Sequence, residues 1–122
     1  MGVDDWGYPR YFNRKGERIT QAEWIAAVGD ERRHDFETYR RVAETDIGPY
    51  WVSTVWLGLD HNFSSKGPPL IFETMVFPGE SDPLGIGEDC WRYSTEAAAH
   101  RGHDERVHEI EVLLAHSAEV DR

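Results

Sequence analysis

The fold is decided by two stretches of sequence, YWVSTVWL at residues 50–57 and LIFETMVF at residues 70–77. Both are rich in β-branched and aromatic residues, which favour extended strands over helices. Both also carry apolar residues at odd and even positions, a pattern typical of strands in the middle of a sheet. We therefore predict that they form the central strands of one β-sheet.

Two weaker strands are predicted outside this pair. Residues 38–45 alternate loosely between apolar and polar side chains, and residues 90–93 form a short apolar segment. Gly and Pro punctuate the gaps. Apart from the loops at 58–69 and 78–88, these gaps are too short for crossover helices, so antiparallel meander pairing is the economical topology.

A short hairpin and a helix are predicted before the sheet. The tetrapeptide NRKG at 13–16 is typical of a turn and predicts a hairpin over residues 11–19. Thr20 and Glu23 have the spacing of a capping box, in which each side chain bonds the other residue's backbone N–H. This box predicts a helix over residues 21–28.

A long helix is predicted from Glu96 to about Ala115. Its apolar stripe has helical spacing and consists of Ala99, His103, Val107, Ile110 and Leu114. Because the sheet offers the large apolar surface that such a stripe needs, we expect the helix to pack across one sheet face. The predicted fold class is α+β: a twisted antiparallel sheet of three to five strands with this helix on one face.

Composition limits the classes of function. The chain has 122 residues, enough for one domain over 1–122, with 1–9 and 117–122 expected to be irregular. Lys and Arg number 13 against 23 Asp and Glu, a net charge of −10 that argues against duplex nucleic acid as a partner. The single cysteine, Cys90, excludes an internal disulfide.

The sequence also predicts a cytoplasmic protein with no membrane partner. Its first residues, MGVDDW, have neither the basic region nor the apolar region of a signal peptide. No apolar run approaches the ~20 residues of a membrane-spanning helix.

Catalytic motifs are absent from the sequence: there is no GxSxG, HExxH, Walker A or GxGxxG. If the protein is an enzyme, the candidate catalytic residues are Glu73, His61 and His103. Glu73 lies inside an apolar strand, where burial would raise the pKa of its carboxyl group. It would pair with His103 if the helix covers its face. Alternatively, Glu73 faces water or pairs with an arginine on a neighbouring strand.

A metal site is a weaker possibility on the long helix. Glu96, His100 and His103 are spaced four and three residues apart, which can place ligands on one helix face. The alternative is a buried, hydrogen-bonded His103 and a partly solvated His100. We expect no cofactor, and no metal unless this set binds one.

Two groups of residues are candidates for ligand binding. Asp60 and His61 follow a predicted strand, a position that often carries function, although such pairs also cap turns. Arg40, Arg41 and Arg92 lie on or beside predicted strands and would hold phosphates, with a Trp or Tyr stacking on a base.

Aromatic residues of the 50–57 strand suggest a protein interface. If one sheet face is left uncovered, Tyr50, Val52, Trp56 or Trp51 would be exposed on it. Such a face would mark a partner-binding site or a homodimer seam formed through the sheet face or edge.

Four strings resemble a known family: VSTVWLGLDH at 52–61, PLIFETMVF at 69–77, RYST at 92–95, and the Gly102-His103 pair. Together with the hairpin at 11–18, they resemble a family of small uncharacterised proteins encoded by tailed bacteriophages and prophages. The resemblance covers most of residues 11–108. It implies a phage accessory protein that acts in the host bacterial cytoplasm, where such proteins often block host functions, including defence systems.

Three functions follow as hypotheses. The first is a non-enzymatic protein that binds and modulates or blocks a host bacterial protein. The second is an oligomeric binder that sequesters a small nucleotide signal. The third is a small metal-assisted hydrolase.

Overall fold

The structure is a computed structural model and describes residues 10–28, 39–63 and 66–120. The predicted irregular segment 1–9 lies outside the described residues. In chain order the elements are β1 (Tyr11–Phe12), β2 (Arg18–Ile19), α1 (Gln21–Val28), β3 (Arg41–Ile47), β4 (Tyr50–Trp56), β5 (Phe72–Pro78), β6 (Asp89–Tyr93) and α2 (Glu96–Val120).

Strands β3 to β6 form one antiparallel sheet in the order β3-β4-β5-β6, and β1 pairs with β2 in a separate hairpin. The predicted meander is confirmed, with the two aromatic-rich strands at its centre. The helix α2 contacts all four strands of the sheet. The fold class is therefore α+β, as the sequence predicts.

Side-chain oxygens cap the first turns of both helices, and the cap of α1 is the predicted capping box. The Thr20 hydroxyl accepts the Glu23 N–H at 3.1 Å, and the Glu23 carboxylate accepts the Thr20 N–H at 2.9 Å, completing the capping box of α1. At α2, the Thr95 hydroxyl accepts the Ala98 N–H at 3.1 Å. Both helices thus begin where side-chain oxygens satisfy the unpaired N–H groups of their first turns.

Several element bounds differ from prediction by one or two residues, and those of β3 and α2 differ by more. Strand β3 runs from Arg41 to Ile47 instead of 38–45: residues 39 and 40 are not part of the strand, and 38 lies outside the described residues. Its pairing with β4 shifts register between Arg41 and Ala43. Helix α2 continues to Val120, so residues 117–120 are helical rather than irregular. The sequence after Ala115 holds neither Gly nor Pro, so nothing there stops the helix.

The core lies between α2 and one face of the sheet, which we call the inner face. Near the β3–β4 turn, Tyr50, Val52 and Val76 pack with Ile110 of α2. At the other end of the strands, Trp56, Ile71 and Phe72 pack with Ala99, and side chains of the N-terminal hairpin and α1 close this cluster. The predicted apolar stripe of α2 is confirmed, because its side chains are the ones packed on the sheet.

Gly102 allows α2 to approach the sheet closely. A Cβ atom at this position would collide with the phenol ring of Tyr93 on β6. The absence of a side chain at Gly102 therefore sets the distance between helix and strand. Within the described ranges, no helix is both long and apolar enough to cross a membrane.

Candidate functional site

The sheet face opposite α2, which we call the outer face, presents side chains in rows across the strands. Successive side chains of a strand point to opposite faces, so the residues next to the core positions lie here. Asp46 of β3 is paired with Trp51 of β4, and Trp51 is paired with Phe77 of β5. We call these three residues the aromatic row.

The aromatic row combines an open aromatic surface with a carboxylate. The rings of Trp51 and Phe77 stack with centroids 5.2 Å apart and planes 27° apart. Trp51 keeps 39% of its surface exposed. Asp46 is also exposed and lies directly opposite Trp51 in the ladder, where side chains of paired residues are in contact range.

The remaining outer-face charges mostly pair with one another. Arg92 of β6 donates from Nε to a carboxylate oxygen of Glu73 at 3.0 Å. Arg41 and Glu44, both on β3, approach to 3.2 Å. Val55 and Met75 lie half-buried between these pairs. The result is a mixed surface with its largest exposed aromatic side chain at Trp51.

The predicted Glu73–His103 pair is wrong. Glu73 lies on the outer face, where its partner is Arg92, as the alternative interpretation of Glu73 expected. His103 projects from α2 onto the inner face, so the sheet separates the two side chains. His61 lies in the loop after β4 and joins neither. The three candidate catalytic residues therefore do not form one site.

His103 belongs to a buried hydrogen-bond network. Its Nδ1 lies 2.7 Å from the Thr54 hydroxyl, and its Nε2 lies 2.9 Å from the Thr45 hydroxyl. The Thr54 hydroxyl in turn lies 2.6 Å from that of Thr74. Burial lowers the pKa of the His103 imidazole, with Asp104 opposing and His100 adding to the shift. A neutral ring, donating at one nitrogen and accepting at the other, satisfies this network.

The predicted metal set does not assemble. Glu96 accepts from Nε of Arg14 at 2.8 Å and lies 3.5 Å from His100, while His103 points into the core. The hydrogen bond from Arg14 is the main cause of the lowered pKa of Glu96. Across residues 10–28, 39–63 and 66–120, no three His, Cys, Asp or Glu side chains are arranged to hold a metal ion.

The three strand arginines do not converge on one ligand. Arg41 lies on β3 and Arg92 on β6, the two opposite edges of the sheet. Strands in a sheet are spaced ~4.8 Å apart, so three spacings separate these edge residues by ~14 Å. Arg40 precedes β3 and is half-buried. The positions do not form the phosphate cradle that the sequence suggested.

Asp60 organises the loop between β4 and β5. It is 1% exposed and forms an ion pair with Arg10, and it accepts the N–H groups of Asn62 at 2.7 Å and Leu70 at 3.0 Å. Burial alone would raise the pKa of Asp60, but these donors outweigh burial, so the pKa is lowered. A carboxylate engaged in this way holds the loop in shape and has little surface left for a ligand.

His61 follows Asp60 in the predicted binding pair Asp60–His61. Its Nδ1 lies 2.7 Å from the carbonyl oxygen of Leu59. Its ring lies near Phe63, with centroids 6.0 Å apart, and Phe63 is 76% exposed. His61 is half-buried and its main-chain N–H bonds the Leu70 carbonyl at 2.8 Å. Like Asp60, it takes part in the contacts that shape this loop.

Trp56, predicted as a binding residue, lies in the core. It is fully buried on the inner face, and its indole Nε1–H donates to the Phe12 carbonyl at 3.2 Å. Trp51, at the opposite parity on the same strand, is the exposed tryptophan. Sequence reasoning did not single out Asp46 or Phe77. Once the strand register is known, Asp46 and Phe77 are identified as the residues paired with Trp51 on the neighbouring strands.

No protein-family model, no curated protein and no solved structure matches this chain.

Proposed function

We propose that this chain is a non-catalytic binding protein that engages another protein through the aromatic row of its outer face. The observation that carries the proposal is the stacked Trp51–Phe77 pair, held rigidly on central strands with Trp51 39% exposed. Tryptophan is enriched among the residues that dominate binding energy at protein interfaces. A rigid strand presents the ring with little loss of conformational entropy on binding.

The state of the other candidate residues supports a binding role over catalysis. His103 is held by two threonine hydroxyls, Asp60 by Arg10 and two backbone N–H groups, and Glu73 by Arg92. Each of these groups performs a structural task. A mechanism based on occlusion of a partner needs none of them.

The occupant we propose is a different protein rather than a second copy. With a net charge of −10, two copies repel one another, whereas a partner with a basic surface is attracted. The resemblance to phage-encoded proteins favours a host bacterial protein as that partner. Covering a functional surface of the host protein would then modulate or block it.

Site-specific photo-crosslinking in bacterial cells tests this proposal. A photoreactive phenylalanine derivative replaces Trp51 in one variant and Val112, which is 52% exposed on α2, in a matched control. We expect a discrete protein adduct from position 51 and none from position 112. The captured protein is then identified, purified and titrated against the wild-type chain and Trp51→Ala.

A loss of affinity of roughly 10-fold or more for Trp51→Ala would support the proposal, since truncating a central aromatic anchor has effects of this size. Equal crosslinking from positions 51 and 112, or an affinity unchanged by Trp51→Ala, would show that the aromatic row is not the interface.

A further inference from the structure

On the inner face, the guanidinium group of an arginine contacts both an indole ring and a carboxylate of the same chain. The Cζ atom of Arg106 on α2 lies 4.5 Å from the ring centroid of Trp91 on β6. The same Arg106 donates from Nη1 to the carboxylate of Glu109 at 2.8 Å. An indole ring, a guanidinium and a carboxylate thus come together, so that the cation is held by the ring face and by charge.

The aromatic row has two of these three parts. Trp51 supplies an exposed indole and Asp46 an exposed carboxylate paired with it in the β3–β4 ladder. In the described part of the chain, no arginine or lysine lies over the Trp51 ring or forms an ion pair with Asp46. The nearest strand cation by sequence, Arg41, pairs with Glu44 instead.

We propose that the aromatic row binds an arginine side chain of the partner protein. The guanidinium plane lies on the Trp51 indole and its N–H groups donate to the Asp46 carboxylate. Phe77 stacks on the Trp51 ring from the β5 side, opposite to Asp46, and supports the ring. This inference rests on the proposed function and adds the chemistry of the contact.

Arginine fits this site better than lysine. Its planar guanidinium stacks on an aromatic ring while donating two parallel hydrogen bonds to a carboxylate, and it sheds its hydration more readily than an ammonium group. The net charge of −10 raises the local concentration of cationic segments near the site.

Titration with hexa-arginine and hexa-lysine peptides, followed by nuclear magnetic resonance, tests the inference. The chain has five tryptophans, and the indole N–H signal of Trp51 is identified by its loss in Trp51→Phe. We expect hexa-arginine to shift this signal in a saturable way and hexa-lysine to bind several-fold more weakly. Asp46→Asn should weaken hexa-arginine binding by roughly 5-fold or more, because it removes the charged acceptor.

Glu111→Gln, an exposed position on α2, is the matched control, since it removes the same charge away from the site. Its affinity should change by less than about 2-fold if diffuse attraction is a minor part of binding. Equal losses for Asp46→Asn and Glu111→Gln, or no shift of the Trp51 signal, would overturn the arginine inference.

The captured partner separates failure of this inference from failure of the proposed function. If partner binding is weakened by Trp51→Ala but not by Asp46→Asn, the outer face is an interface without an arginine contact. If partner binding is insensitive to both variants, both proposals are wrong. If both variants weaken partner binding, the exposed arginines of the partner are substituted one at a time. The inference is supported when one of these substitutions makes binding insensitive to Asp46→Asn.

Discussion

Strand β4 carries two tryptophans with opposite surroundings. Trp56 is fully buried among the inner-face core residues, whereas Trp51 keeps 39% of its surface exposed on the outer face. The two positions are five residues apart, and an odd separation along a strand places side chains on opposite faces. The position of α2 therefore decides which tryptophan serves the fold and which is free to serve recognition.

The polar groups of the two faces also differ in how far they are exposed to water. On the inner face, Thr45, Thr54, Thr74 and His103 satisfy one another away from water. On the outer face, Glu73 and Arg92 form an ion pair at the surface. A buried polar group that loses its hydrogen-bond partner incurs a desolvation penalty, whereas an exposed group replaces the lost partner with water. Substitutions on the inner face should thus affect stability, and those on the outer face should affect binding.

The largest difference between the faces is expected from truncating the two tryptophans. Trp56→Ala should lower the free energy of unfolding by about 3–5 kcal/mol, because it leaves a large cavity in the core. Trp51→Ala should lower it by about 1–2 kcal/mol, because 39% of the Trp51 surface is already in water and only its packing on Phe77 and the strand is lost. Urea unfolding followed by circular dichroism measures both values.

If Trp56→Ala does not fold, Trp56→Phe gives a milder test of the same position against Trp51→Phe. Equal losses from the two Phe variants would contradict the assignment of α2 to the inner face. A larger loss at position 51 would mean that the outer face is covered in the folded chain.

The buried network should show the next largest effect. Thr54→Val keeps the side-chain shape but removes the hydroxyl that links His103 to Thr74, so it should cost about 2 kcal/mol of stability. Ser81→Ala, which removes a hydroxyl at an exposed position in the loop after β5, is the matched control and should change stability by about 0.5 kcal/mol or less. The comparison fails if the two variants are equally stable.

A double-mutant cycle of Thr54→Val with Thr74→Val isolates the hydrogen bond between these side chains. We expect a coupling of roughly 0.5–3 kcal/mol, as for residues within one network. Additive effects would show that the two hydroxyl groups act independently.

The sequence predicts the fold well because its signals are local. The capping box at Thr20 and Glu23, the strand composition of 50–57 and the stripe on α2 each depend on near neighbours in the chain. The two central strands, however, are apolar on both faces, so periodicity does not show which face the helix covers. For that reason the sequence predicts Trp56 as a binding residue and leaves the Glu73–His103 pair dependent on which face is covered. The register in the structure decides both questions.

The candidate site depends on long-range pairing, which sequence patterns do not encode. Asp46, Trp51 and Phe77 become neighbours only through the β3–β4 and β4–β5 ladders. No motif links them, since each is an ordinary strand residue on its own. The structure confirms one of the two alternatives for His103, a buried and hydrogen-bonded imidazole. That alternative is predictable because the place of His103 on the apolar stripe is a local feature.

Lowering the pH should reduce the free energy of unfolding, because His103 on the inner face is buried as a neutral ring. Burial lowers the pKa of His103 below its ordinary value of 6.5, so the folded protein holds the ring neutral while the unfolded chain protonates it first. The stabilisation is complete above about pH 6.5 and is lost as the pH falls from there toward the folded-state pKa. Asp104 and His100 are the charged neighbours that modify this pKa.

Urea unfolding between pH 7.5 and 5 measures this dependence, above the range in which most carboxylates titrate. His103→Gln should remove this part of the pH dependence, and His108→Gln, at an exposed position on α2, should leave it unchanged. The ring signals of His103 in the wild-type chain provide a direct check. A titration midpoint at or above 6.5 would contradict the burial argument.

The smallest effect should come from the outer-face ion pair. Arg92→Gln removes the Nε contact to Glu73, whose side chain is 14% exposed against 36% for Arg92. Because surface ion pairs contribute about 0–1 kcal/mol and are screened by salt, the free energy of unfolding should fall by about 0.5 kcal/mol, and this loss should be smaller in 0.5 M salt. Arg92→Gln also retains most of the aliphatic stem, so strand packing is preserved. A loss as large as that of Thr54→Val would mean that Glu73 is left as an uncompensated buried charge, and that the outer face is closed to water around the ion pair rather than open along its whole width.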